Sequence, residues 1–391
     1  MDEKCSSMNA FQDDRYCVEV YGDQKSFISA TFESRPCGFP PFCKASAYDS
    51  CANITLFHCK SCNMGKAAAF LSFVVCLGIV ILFGNILIVA VGYRRYKNRS
   101  LQKFDIFRTS LAAADALTGV LILVITTHNF DWTIRSTATE LNIKQIKLQG
   151  TAVASFGGWF YLFMFTSSLY HLLFIGLQRL YAIARPILYK LQGKRTVLYG
   201  LGIVWVFAAL TASIPAWFPQ RFTFSYYVTT LLFWPSVTMT KNKEYLSSSL
   251  ALMAIFVVLP FILMTSVSIA LGVMLRAQTN KSRKLSSHGQ PNSPNCVGQE
   301  RLVFKNVAIM QIGFTLTLVP VMAVVLCFYT GRLNCSNVTI PYVVGFYLTM
   351  CNSLVNVIVY SARDSSFRSC LGEMISSWNP ASSCRKKYII T

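Results

Sequence analysis

Charge is what this sequence has least of: only 13% of its 391 residues are Asp, Glu, Lys or Arg. A soluble domain carries about twice that share, so a water-exposed surface around the whole chain is excluded. Histidine is rare as well, and His58, His128, His171 and His288 stand far apart. No HExxH, GxSxG or phosphate-loop pattern is present. With neither a metal set nor a nucleophile and base at a recognisable spacing, the chain is read as a non-enzyme with no resident cofactor. The opening residues, MDEKCSSMNA, lack the apolar core and cleavage site of a removable signal peptide. The first apolar block is therefore expected to direct membrane insertion.

What the sequence does have is long apolar runs. A bilayer core needs about 20 mostly apolar residues per helix, and seven blocks reach that length: 67–92, 104–127, 152–182, 197–217, 247–275, 303–328 and 340–361. They are continuous rather than alternating, which excludes a membrane β-barrel. An all-helical bundle of seven transmembrane helices is the fold class that satisfies the backbone in lipid.

The net charge of +20 raises nucleic-acid binding, but its distribution argues for topology instead. The segments 93–108, 179–195, 276–305 and 363–387 sum to +18, whereas residues 1–66 and the other three loops sum to +3. Positive charge gathers on the cytoplasmic side. The N-terminus is expected outside and the C-terminus inside, with no nucleic-acid partner. Residues 1–66 read as an extracellular head and 362–391 as a cytoplasmic tail.

Cysteine usage fits that orientation. Cys5, Cys17, Cys37, Cys43, Cys51, Cys59 and Cys62 lie in the head and Cys335 in the last outer loop. An even set in an oxidising compartment reads as disulfides of undetermined connectivity, and one of them could tie the head to Cys335. Sequons at Asn53, Asn334 and Asn337 fall on the same side and are candidate glycosylation sites. After the seventh block, Phe367, Leu371 and Ile375 recur at helical spacing among basic residues, as in a short helix lying on the membrane surface. Cys370 and Cys384 are placed for palmitoylation there.

Polar groups inside a bilayer usually face the bundle interior and carry function. Asp115 is the one acid in the interior of the seven blocks, Asp105 standing at the very start of the second. Asn85, Ser168, Asn352, Ser353 and Asn356 add oxygens and amides. If these meet in mid-bundle, they form a polar pocket able to hold a small cation such as Na+.

Over residues 67–375 the chain resembles the rhodopsin-like (class A) G-protein-coupled receptors. The resemblance rests on GN ending in Asn85, LAAAD ending in Asp115, QRLYAIARPILY with Arg179 and Pro186, Trp205 with Pro215, Pro260, Phe314 with Pro320, and NSLVNVIVY with Asn352, Ser353, Asn356 and Tyr360. It implies a heterotrimeric G protein as partner, met by Arg179 at the cytoplasmic end of the third helix. It implies a resting pair of Arg179 with Glu300, and an inward swing of Tyr360 on activation. Pro260, Leu169 and Phe314 match the family's repacking trio, and Asp115, Ser168 and Asn356 its sodium pocket. The family's ligand positions fall on Tyr161, Leu162, Phe165, Val321, Met322, Val325, Tyr342, Phe346 and Met350. This lining is aromatic and aliphatic. An amine ligand is disfavoured by Tyr161, and a retinal Schiff base by the absence of lysine from 340–361. A peptide caught partly by the head, or an apolar lipid-like ligand, remains.

Four departures mark a divergent member. Gln178 replaces the acid beside Arg179, Val357 the seventh-helix proline, and Leu318 the usual tryptophan; segments 128–160 and 218–246 lack the cysteines of the family's outer disulfide. The lost proline removes a source of kinking, and the cysteine-rich head is expected to take over the bracing. A non-signalling decoy or scaffold receptor is the alternative. A transporter would show repeats or paired broken helices, and none is evident.

Overall fold

The computed structural model describes residues 39–44, 50–98, 101–237, 251–252, 254–286, 294–329 and 335–378. Six single helices are long and apolar enough to span a bilayer: Met64–Lys97, Lys103–Arg135, Ala152–Ala184, Lys194–Ala212, Ala254–Ala277 and Ala308–Cys327. The seventh span is a pair, Asn337–Met350 and Asn352–Arg363, bent by 40°. A seven-helix membrane bundle with a further helix after it, Ser365–Trp378, is the architecture. Large apolar side chains such as Phe83, Tyr199 and Ile203 are exposed around its waist, which only lipid contact makes tolerable.

Local signals start the helices. Asn63 Oδ1 accepts the Lys66 N–H at 3.0 Å before the first span, and Thr151 Oγ1 accepts the Ala154 N–H before the third; both are N-caps that satisfy orphan donors. The fourth span stops at Ala212, earlier than its apolar block, because Pro215 opens a short turn over Ile214–Trp217. The second and fifth spans each carry a π-helical turn, at Ile122–Thr126 and Ala254–Val258. The second of these lies just before Pro260, where the missing N–H disturbs the ladder.

The seventh span bends at Cys351, six residues before the position of the lost proline. Two side chains enter its ladder there. The Asn85 amide donates to the Ser353 carbonyl at 3.3 Å, and the Cys351 thiol donates to the Tyr347 carbonyl at 3.5 Å. Such insertions kink helices without proline. The bend therefore arises without the proline that Val357 replaces.

Two loops have structure that the sequence reading did not anticipate. Ala138–Leu148 is a helix started by a capping box, with Thr137 and Glu140 each accepting the other's backbone N–H. Residues 222–237 form an antiparallel hairpin, β1 (Phe222–Tyr227) and β2 (Leu232–Val237), with register Phe222↔Val237 to Tyr227↔Leu232. The core divides into two main clusters. One lies towards the head and includes Leu56, Ile81, Tyr161, Tyr226 and Phe346. The other lies towards the tail helix and includes Ile88, Leu111, Phe314, Tyr360 and Phe367.

Candidate functional site

Three places along the bundle hold polar chemistry. At mid-depth, Asp115 is fully buried. Its Oδ1 accepts from the hydroxyls of Ser168 at 2.8 Å and Ser353 at 2.9 Å, and its Oδ2 accepts from the Asn356 amide at 2.8 Å. Spans two, three and seven are joined through one carboxylate. Asn85 donates to Ile81 and Ser353 carbonyls instead, and Asn352 makes no bond to Asp115. Of the five polar candidates around it, the structure thus brings Ser168, Ser353 and Asn356 onto the acid. The amide oxygens of Asn85, Asn352 and Asn356 are buried with no partner among the described residues, so acceptor oxygens outnumber the hydrogen-bond donors that face them. A cavity of about 20 Å³ adjoins the cluster, lined by Tyr161, Phe165, Ser168, Phe314, Met350 and Asn352 among others. That is room for about one water molecule or small ion.

At the head end, the hairpin enters the bundle. Its tip is buried, and Leu231 adopts a left-handed backbone with φ 58°, unusual for a residue with a branched side chain. The surroundings hold it there: Asn129 donates to the Leu231 carbonyl and Tyr347 to the Thr230 carbonyl, both at 2.8 Å. Thr133 gives its proton to the Asn129 carbonyl, so the Tyr226 hydroxyl donates to Thr133 Oγ1. Gly157 and Gly158 let the rings of Phe233 and Phe224 lie directly on the third span. A Cβ at Gly158 would stand 2.2 Å from Phe224 Cδ1. Ring-on-glycine packing braces this loop, and the head pairs elsewhere. Leu56 and Phe57 donate to the carbonyls of Ser136 and Ile134.

The hairpin covers the expected ligand positions. Trp234 packs 5.0 Å from the Tyr161 ring and 6.3 Å from Phe346, and Tyr161 stacks on Phe346 at 5.6 Å. Leu162 is fully buried, Tyr342 lies beside Phe346, and Val321 packs its backbone against Gly345. Met322 and Val325 are half-buried. Only Tyr161, Phe165 and Met350 of the nine line the small cavity. No open chamber unites them among the described residues.

At the tail end, the Arg179 guanidinium lies 4.2 Å from the centre of the Phe104 ring. Gln178 Oε1 is buried without a partner. Among the described residues no carboxylate pairs with Arg179, and the Glu300 side chain lies outside them. Pro186 opens a single-turn helix, Pro186–Leu191, whose Ile187 and Leu191 are 73% and 76% exposed. Tyr360 is buried, with its hydroxyl 3.9 Å from Met310 Sδ. Leu169 and Phe314 share one apolar cluster, and Phe261, next to the buried Pro260, meets Phe314. Arg108 pairs with Asp105 at 2.5 Å and with Asp364, and Arg95 also reaches Asp105 at 2.5 Å. Burial works to raise the Asp364 carboxyl, but the Phe367 N–H and Arg108 outweigh it and hold the group below its ordinary range. The sequence reading missed Asp105, Arg108 and Asp364, although an acid three residues before an arginine at a span end was a usable local signal.

The head supplies two disulfides, Cys43–Cys62 and Cys51–Cys59. Cys5, Cys17, Cys37, Cys384, Asn334 and the side chain of Cys335 lie outside the described residues. Asn53 and Asn337 are exposed, and Cys370 is a half-buried free thiol on the tail helix.

Seven spans surround a buried carboxylate, with arginines lying on aromatic rings at one end and a folded cap at the other. The family model described as "7 transmembrane receptor (rhodopsin family)" matches residues 84–360. The chain belongs to that family, and is a G-protein-coupled receptor by class. A solved structure of squid rhodopsin superposes with a TM-score of 0.61 at 16% identity, covering 82% of this chain and 89% of that one. At that identity the likeness speaks for the fold alone. Comparison with curated proteins gives no match.

Proposed function

We propose that this chain is a plasma-membrane receptor, N-terminus outside, which relays an extracellular peptide signal to heterotrimeric G proteins through Arg179. The observation that carries the coupling reading is the tail end of the third span. A permanently charged guanidinium rests on the Phe104 ring, with no counter-charge among the described residues, beside an apolar turn that presents Ile187 and Leu191. A protein partner can take both, the cation by hydrogen bonds and the turn by burial. The basic excess of this same face supports its being cytoplasmic.

The ligand class follows from space. A drug-sized or lipid-like ligand needs a pocket of about 300–1,000 Å³, and the positions expected to line it are packed against the chain's own hairpin. The surfaces left are the disulfide-braced head, the loop helix Ala138–Leu148 and the outer side of the hairpin. A peptide suits such a surface. Sodium fits the Asp115 cluster, where the two serine hydroxyls and the unpartnered amide oxygens would complete an oxygen shell. A bound ion would supply positive charge that ties spans two, three and seven. Arg179, Glu300, Tyr360, Phe314, Pro260 and Leu169 form the proposed switch. Palmitoylation at Cys370 and Cys384 would anchor the tail helix to membrane lipids, and glycans at Asn53, Asn334 and Asn337 would mark the outer face.

The test is ligand-free nucleotide exchange on purified G proteins of each subtype, with the receptor in lipid nanodiscs. The expected result is measurable exchange that Arg179→Ala abolishes and Gln178→Glu lowers, since a carboxylate beside Arg179 restores the missing restraint. Identical rates for wild type and Arg179→Ala on every subtype reject coupling and leave the decoy or scaffold receptor.

A further inference from the structure

Four ions meet where the first, second and seventh spans approach the tail helix. The side chains of Arg108 and Asp105 are each 3% exposed, that of Arg95 11% and that of Asp364 22%. Charges so far from water persist only when paired and hydrogen-bonded. Two cations balance two carboxylates, so loss of one member strands another. Asp364 has a second task. Its Oδ1 accepts the Phe367 N–H at 2.9 Å while its Oδ2 takes Arg108. One residue thus fixes the start of the tail helix and the position of Arg108. Asp105 is equally committed, because Oδ2 accepts the Gln102 N–H that opens the second span.

Arg108 also lies over aromatic rings. Its guanidinium lies 4.9 Å from the Tyr360 ring centre and 5.6 Å from those of Phe104 and Phe367. Phe104 also carries Arg179, and it meets Tyr360 edge-on at 6.3 Å. A cation over a ring is held by the ring's quadrupole, more firmly in a dry site. Both switch residues therefore rest on one surface made by Phe104 and Arg108.

We propose that Arg108, locked by Asp105 and Asp364, is a positioning residue of the signalling switch. With Phe104 it forms a platform that keeps Arg179 and Tyr360 in the resting arrangement, a restraint that does not need an acid at position 178. The proposal rests on the coupling reading above. Departure of Arg179 towards a bound protein, or of Tyr360 into the bundle, breaks contacts with the same platform, so the two residues move together.

The test uses full-length receptor in nanodiscs carrying Asp364→Asn or Phe104→Leu, each with and without Gln178→Glu. Ligand-free nucleotide exchange on G proteins and hydrogen–deuterium exchange over residues 352–372 are measured together. The expected result for Asp364→Asn is about a fivefold rise in nucleotide exchange, within the range by which single residues bias coupled states, with faster hydrogen exchange in that segment. Phe104→Leu is expected to raise nucleotide exchange with little change in the segment. Gln178→Glu is expected to bring both variants down again, which a merely structural role would not do. Unchanged hydrogen exchange in Asp364→Asn overturns the proposal whatever the signalling result. So does Arg179-dependent wild-type signalling that neither variant raises, or that Gln178→Glu fails to restore. If wild type shows no Arg179-dependent signalling, the coupling reading fails, and hydrogen exchange alone decides the platform.

Discussion

The two ends of this bundle are held by different physics. Towards the head, aromatic rings, neutral hydrogen bonds and two disulfides close the structure, and the hairpin fills the space between the helices. Towards the tail, charges are buried in compensating pairs, and arginines lie on rings. Apolar packing is additive and forgiving, because each contact is small. A buried charge network is not, because removing one partner exposes the full desolvation cost of the other. The head end is built to stay in one arrangement. The tail end depends on a small number of charged contacts, each costly to lose.

That contrast can be broken or sharpened by measurement. Arg108→Met should have the largest effect, a loss of about 3–5 kcal/mol of stability from stranding Asp364 and half of Asp105. Thermal unfolding in nanodiscs would report it, and a shift no larger than that of a surface variant would contradict the buried network. Gly158→Val should cost less, about 1–3 kcal/mol, because the new side chain drives into Phe224. Gly193→Ala, with nothing near its missing Cβ, serves as its control. Tyr347→Phe should cost about 1 kcal/mol, the net worth of its bond to the Thr230 carbonyl, and should leave ligand-free signalling unchanged if the two ends are independent. The smallest effect concerns acid. A carboxyl held below its ordinary value contributes stability that is complete above that value and is lost only as pH falls beneath it. With an ordinary aspartate value of about 3.9, tail-helix protection at Asp364 should therefore be flat from about pH 5 to about pH 8. A step within that window would show that Asp364 is not held down.

Much of this was legible in the residues. The spans declare themselves because hydrocarbon tolerates only long apolar helices, and Asp115 with Ser168 and Asn356 stands out because an acid in lipid must find partners. Ser353 and Asn352 were not separable, since which of two neighbours turns towards Asp115 depends on the bend at Cys351. That bend depends on Asn85, contributed by another span. The hairpin was not anticipated, although FTFSYY and LLFWPSV are rich in strand-forming residues, because its packing depends on Gly157 and Gly158, distant in sequence from the rings of Phe233 and Phe224 and adjacent in space. Arg108 was hidden for the opposite reason. A basic residue at a span end ordinarily reaches out to water, and nothing local reveals that Asp364, 256 residues further on, turns it inward.

The hairpin tip has a consequence for any ligand that seeks the interior. It is joined to the bundle by its own chain, so it competes at an effective concentration on the order of millimolar, regardless of how dilute the receptor is. A molecule that must displace it has its apparent affinity lowered by the fraction of time the tip is out. Loosening the tip at Asn129 or Tyr347 would raise that apparent affinity without adding a single contact to the ligand.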